Sequence, residues 1–191
     1  MKFDKTVQKM QELGSSVVDK GKAILKKKKK TTSSNTLYNG FDYLVGSDAN
    51  SVFVEWKFGG ANDYWAFVDE GVKGAGGFKG SGKMRGQGSD FRFGSGKARG
   101  NWADFKKSIK KWIKNKPLKL RGAKGKFIKK NKANINSAAF LIQRAIYQRG
   151  LERTRFFSKP YEQELAIYEN QIIQAFAEDL ELELKKRIEN K

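Results

Sequence analysis

Tyr64-Trp65-Ala66-Phe67-Val68-Asp69-Glu70-Gly71 is the last dense apolar run before a long segment that offers almost no core. Read with a period of two, it sets Tyr64, Ala66 and Val68 on one face and Trp65, Phe67 and Asp69 on the other, as in a strand covered on both sides. Read with a helical period, Tyr64, Phe67, Val68 and Gly71 share a stripe, a single helical turn running into a glycine stop. The residues alone allow both readings. In either, Gly71 hands a packed aromatic segment to an open, basic loop.

Upstream, Phe41, Tyr43 and Val45 alternate with Asp42 and Gly46, and Val52, Val54, Trp56 and Phe58 alternate with Phe53, Glu55 and Lys57. Gly46-Ser47-Asp48-Ala49-Asn50 between them is turn chemistry, so an antiparallel hairpin is expected. Gly59-Gly60-Ala61-Asn62-Asp63 is a second turn, which makes the 64–71 stretch either the third element of the sheet or its closing turn. Before the hairpin, Phe3, Val7, Met10, Gly14, Val17, Gly21 and Ile24 form one stripe that predicts a helix over 3–25 covering the sheet. Gly14 and Gly21 each cost about 1 kcal/mol relative to alanine but admit a close neighbour. Lys26 to Lys30 end the pattern, and Thr31-Thr32-Ser33-Ser34-Asn35 reads as a polar linker.

Downstream, residues 71–100 hold eleven of the twenty glycines, with Phe78, Met84, Phe91 and Phe93 spaced between Lys and Arg. A loop of that length is expected to be functional or ordered by a partner. Helical signals resume at Asn101, a good cap. Trp102, Phe105, Ile109, Trp112 and Ile113 make one stripe, Lys106, Lys107, Lys110, Lys111 and Lys114 the opposite face, and Pro117 a stop. Residues 118–133 form a basic connector with Phe127-Ile128 as a short strand or anchor. Ile135, Ala138, Ala139, Ile142 and Ile146 share a face of the next helix, capped by Asn134 or Asn136 and ended by Gly150. Phe156-Phe157-Ser158-Lys159-Pro160 leads into a last helix carrying Tyr161, Leu165, Tyr168, Ile172, Phe176, Leu180, Leu184 and Ile188, with Ser158 as cap. Such a helix, about 45 Å long, needs the core or a neighbouring protomer alongside.

The expected fold is therefore α+β: a small antiparallel sheet packed with an N-terminal helix and two to three C-terminal helices, with a long basic glycine-rich insertion arm. The expected organisation is an amphipathic helix and lysine run over 1–30. A single α+β domain over 36–191 follows, with an extended arm at 71–100 and a long helix at 160–188.

The chain has 191 residues, a net charge of +20 and neither cysteine nor histidine. Disulfides, thiolate nucleophiles, the usual zinc sets and histidine relays are thereby excluded. With no long apolar run and no signal-peptide core, a soluble intracellular product without membrane contact is expected. Charge is uneven: residues 71–132 hold 20 Lys or Arg against Asp90 and Asp104, whereas Tyr161 to Lys191 holds eight acids against four bases. A basic region so placed can meet nucleic-acid phosphates or the acidic face of a neighbouring copy, or be a solvated face.

No residue set stands out as catalytic, and no cofactor or metal is expected. Gly77-Phe78-Lys79-Gly80-Ser81-Gly82-Lys83 matches the first seven positions of a phosphate-binding loop, but Met84 replaces the magnesium-binding hydroxyl, and neither strand nor helix flanks it. Asp69-Glu70 sits at a turn, where bonds to backbone or a salt link outweigh acid–base work. The acids of the last helix are expected mostly on its solvent side. Phe78, Met84, Arg85, Phe91, Arg92, Phe93, Phe156 and Phe157 are candidate subunit contacts. Lys26, Lys27, Lys28, Lys29, Lys30, Lys106 and Lys110 are candidate DNA-facing residues.

The 64–71 stretch resembles the tyrosine-alanine-aromatic-valine-acid-glycine signature of the small neck and tail-completion proteins of tailed bacteriophages. The resemblance continues through Trp112-Ile113-Lys114, Gly125-Lys126-Phe127-Ile128, Ala145-Ile146-Tyr147-Gln148-Arg149-Gly150 and Phe156-Phe157-Ser158-Lys159-Pro160. It covers most of 36–185 in short pieces, and the basic glycine-rich insertion departs from the smaller members. It implies a non-enzymatic virion protein forming a homo-oligomeric ring between portal and tail. Such a ring binds connector and tail proteins through loops and terminal helices, with non-specific contact to packaged DNA possible in principle. The alternative from the residues is a non-specific single-strand or duplex nucleic-acid-binding protein acting through its Lys/Arg/Gly/Phe-rich segment.

Overall fold

Phe41 and Phe58, the first residue of one strand and the last of the next, stack with ring centroids 5.4 Å apart. They close an antiparallel hairpin of β1 (Phe41–Ser47) and β2 (Val52–Phe58), in a computed structural model that describes residues 3–28, 36–48, 51–61, 64–79, 82–95, 102–115, 119–122 and 124–189. The register sets Phe41 against Phe58, Tyr43 against Trp56 and Val45 against Val54, the inward face that the alternation predicts. Lys29, Lys30, the linker at 31–35, the Asn101 cap and the Pro117 stop lie outside the described residues.

The molecule is α+β, and its chain divides into two compact units: Met1–Asp69 with Thr154–Lys191, and Glu70–Arg153 inserted between them. The single domain expected over 36–191 is thus split. The helix expected as a separate N-terminal segment, α1 (Asp4–Lys27), supplies Leu13, Val17, Val18 and Leu25 to the first unit's core. It reaches the sheet through its glycines. A Cβ on Gly21 would stand 2.5 Å from the Phe41 ring and 2.6 Å from the Phe156 carbonyl oxygen, so only glycine permits this approach.

The last helix, α6 (Ser158–Glu189), runs antiparallel to α1: Phe176 stacks on Phe3, Asp179 bonds Thr6, and Glu164 bonds Ser16 and Lys20. The support that its length demands is therefore α1, as far as α1 extends.

The deciding stretch is helical. Residues Trp65–Glu70 form α3, and Gly71, at φ 73°, stops it. The sheet accordingly stays two-stranded in this unit. A helical turn puts Trp65 and Asp69 on one face, at i and i+4. Trp65 stacks on Phe58 at 4.2 Å, and Asp69, 2% exposed, lies against the start of α6. A strand would have offered no such pairing across one turn.

The second unit is a helix pair with small ladders. α4 (Trp102–Asn115) and α5 (Lys132–Arg149) pack through Phe105, Ile109 and Ile113 against Ile135, Ala139 and Ile142. Asn131, not Asn134 or Asn136, caps α5, accepting from the Asn134 amide at 2.7 Å. β3 (Val72–Lys73) pairs with β6 (Gly150–Leu151), and β4 (Leu120–Arg121) with β5 (Phe127–Ile128).

The glycine-rich arm, expected to be extended and either functional or ordered by a partner, is folded onto its own unit wherever it is described. The last carbonyls of α5 have no partner within the helix, and the arm provides donors: Ala75 to Tyr147, Gly76 to Gln148 and Arg85 to Arg149, at 2.8–3.1 Å. Gly86, at φ 66°, lies so close to the Val72 backbone that a side chain there would collide with it.

The Gly21 contact yields a test. Gly21→Ala gains about 1 kcal/mol of helix propensity but forces a methyl against a carbonyl in a filled core, costing about 1–3 kcal/mol. Urea melts should show net destabilisation, whereas alanine at exposed Ser15 of the same helix should not lower the midpoint.

Candidate functional site

Among the described residues three carboxylates are buried, and each is consumed by the fold. Asp69 Oδ1 accepts from the Phe157 amide at 2.8 Å and from the Ser158 amide at 3.4 Å, so it holds the α6 N-terminus in the role expected of Ser158. Asp179 does the same for α1, accepting from the Thr6 amide at 2.9 Å, the Thr6 hydroxyl at 2.8 Å and the Lys5 amide at 3.3 Å. Negative charge at a helix N-terminus is favoured by the aligned peptide dipoles. Glu164 accepts from Lys20 and Ser16, which hold its carboxyl below the usual carboxylate range.

Glu164 and Asp179 are the exceptions to the expectation that the acids of the last helix lie mostly on its solvent side. Both fall on the arc of Tyr161, Leu165, Tyr168 and Ile172, a signal present in the spacing. Asp69 follows the turn reading, with its bonds going to backbone. Among the described residues no group of three or more Asp or Glu could hold a metal, and no helix is long and apolar enough to cross a membrane.

Of the residues read as subunit contacts, Phe156 is fully enclosed, edge-on to Phe41 and Phe58, and is core rather than surface. Phe157 is half-buried, against Trp56, Phe58, Trp65 and Tyr161. In the second unit Phe93 leans on Tyr147, and Phe78 lies under the Arg149 guanidinium at 5.5 Å. The Phe91 carbonyl accepts from the Lys73 amide. That leaves Met84, Arg85 and Arg92 exposed.

Gly77–Lys83 has no regular helix after it, and Gly80 and Ser81 lie outside the described residues. The guanidinium of Arg149 occupies the space beside Gly82 and donates to the Lys83 carbonyl at 2.7 Å.

The candidate DNA-facing lysines separate likewise. Lys26 and Lys27 are exposed in the last turn of α1, where cations suit the helix dipole, and Lys28 follows as its C-cap. Lys106 lies over the Phe140 ring at 5.6 Å, and Lys110 is half-buried. Charge follows the boundary between units. The insert holds 23 Lys or Arg against 4 Asp or Glu, +19, and the remainder of the chain 17 against 16, +1, which together make the +20 of the whole.

The spacing marks Phe127-Ile128 as a strand or anchor but not the cations that gather around it in the β4–β5 hairpin. Phe127 is 60% exposed there, with Lys119 Nζ 5.4 Å and the Arg121 guanidinium 4.7 Å from its ring centre. In the first unit the uncovered apolar surface is the end of α6. Its stripe outlasts α1, leaving Leu184 and Ile188 59% and 74% exposed. Comparison with family models, curated proteins and solved structures finds no match to this chain.

Two stability tests follow from the carboxylates. Asp69→Ala strips buried amides of their acceptor and should cost about 2–3 kcal/mol in chemical denaturation, with Asp69→Asn costing less. Glu164 has a folded pKa below its ordinary value of 4.5. Its stabilisation is therefore complete above that value and disappears as pH falls through the lower, folded one. Glu164→Gln should flatten that part of the acid limb and cost about 1 kcal/mol at neutral pH, a modest effect because Lys20 is half-exposed and screened.

Proposed function

We propose that the chain is a structural virion protein, a ring-forming subunit of the neck or tail-completion region of a tailed phage, joining head and portal to tail. The observation that carries this reading is the free end of α6. Leu180, Leu184 and Ile188 recur at four-residue spacing beyond the point where α1 begins, a seam suited to another helix. Solvent-facing apolar stripes of this kind mark contacts between proteins.

The rest of the first unit supports holding rather than chemistry, because its three buried carboxylates already have partners. Head-to-tail rings join unlike surfaces. A chain that carries a nearly neutral body and a +19 insert has unlike surfaces of its own. The motifs at 64–71, 145–150 and 156–160 support the same family. The partners on this reading are further copies of the chain, the portal or connector, and tail proteins.

The test combines light scattering of the purified chain with fractionation of phage particles. The protein should self-associate and travel with particles, and Leu184→Asp with Ile188→Asp should abolish both while leaving the thermal midpoint unchanged. A chain that stays monomeric at every concentration and is absent from particles would overturn the proposal.

A further inference from the structure

We infer that the outer face of α4 together with the β4–β5 hairpin binds the phosphodiester backbone of nucleic acid. This goes beyond the assembly reading and stands without it. It also moves the surface away from the glycine-rich segment, whose backbone is occupied in closing α5.

Between Asp104 and Glu152 the chain has fifteen Lys or Arg and no acid at all, so only the cations at the two ends of this stretch lie within a helical turn of a carboxylate in sequence. Ile109 and Ile113 turn one side of α4 inward, which leaves Lys107, Lys111 and Lys114 exposed on the other. These three follow one another at about 4.5–6 Å of axial rise, close-set enough to meet phosphates that recur at about 3.4 Å along one strand.

The face continues into the hairpin. Lys130 Nζ donates to the Ile113 carbonyl at 3.1 Å, which ties the base of the hairpin to the end of α4. On the ladder itself, Lys119 and Arg121 crowd around the exposed Phe127 ring. Two cations sharing one ring repel each other, and a polyanion laid across them removes that cost. An unpaired base that stacks on this exposed ring takes the place of one cation over its face and turns that cation toward a phosphate. An acidic protein would satisfy the charges without a base to stack, and poly-glutamate is the probe for it.

The experiment is a salt titration of full-length protein binding to a random-sequence DNA duplex and to the matching single strand, with poly-glutamate as a third probe. Wild type should bind both DNAs with steep salt dependence. Lys107→Glu, Lys111→Glu and Lys114→Glu together should weaken duplex binding about tenfold or more and reduce the log–log salt slope by about 0.9 for each phosphate that is no longer neutralised. The corresponding triple glutamine variant, checked by circular dichroism, should weaken binding in the same direction with the fold intact.

Lys22→Glu, Lys26→Glu and Lys27→Glu on α1 make the same change in net charge and should have much less effect. Phe127→Ala should weaken single-strand binding roughly fivefold or more. Unchanged binding in the α4 variants, an equal weakening in the α1 variant, or poly-glutamate bound as tightly as DNA would each overturn the inference. The last outcome would give the surface to an acidic protein. None of these readouts depends on ring formation or on particles.

Discussion

The fold of the first unit depends on the carboxyl and carbonyl groups of Asp69. Its side chain takes the first amides of α6, and its carbonyl accepts from the Thr154 and Arg155 amides at 3.1 and 2.9 Å. Asp69 is the last residue before the insert and Thr154 the first after it. The chain therefore leaves and returns at one hydrogen-bonded point. Closing a longer loop across fixed ends adds cost only slowly, about 0.6 kcal/mol for each doubling. A body clasped in this way tolerates residues 70–153 without rebuilding its core. Arg155, at φ 52°, holds the strained backbone that brings the returning segment onto Asp69.

The pairing of α1 with α6 rests on the same device. Each helix has its N-terminal amides held by a carboxylate from another part of the unit, Asp179 for α1 and Asp69 for α6, while Glu164 takes Ser16 and Lys20 midway. Between these polar points the contact is made by apolar side chains and by glycine, which allows Phe41 and the Phe156 carbonyl to press against Gly21. Buried acids fix the register of an interface that apolar stripes alone would allow to slide. The same bonding removes those acids from any chemistry.

Legibility in the sequence tracked how local each determinant was. The hairpin and its inward face followed from alternation, and α1, α4, α5 and α6 from periodic stripes, because these patterns are set within a few residues. The 64–71 stretch stayed ambiguous because its helical form is chosen by partners far along the chain, Phe58 for Trp65 and Phe157 for Asp69. Phe156 reads as surface for the same reason: an aromatic leading into a helix looks alike in a core and on a contact. Asn131 escaped notice as the α5 cap because its helix begins before its apolar face does. The glycine arm looks open because its hydrogen bonds go to α5 carbonyls 64 to 72 residues away, where no local signal marks an acceptor.

What the sequence held only in blurred form was the location of the charge. Counted along the chain, basic residues thicken gradually and acids gather at the end; divided at Asp69 and Thr154, the excess is +19 against +1. Net charge of that size opposes its own compaction, and the insert's buried apolar cluster of Ile109, Ile113, Ile135 and Ala139 is small. A unit kept so basic around so modest a core gives up stability that a few acids on α4 or the hairpin would restore. The first unit shows what that alternative looks like, with Lys5 facing Glu178, Lys9 facing Glu12 and Lys20 facing Glu164. One chain thus balances its charges where two helices must hold register, and gathers an excess of +19 in the insert.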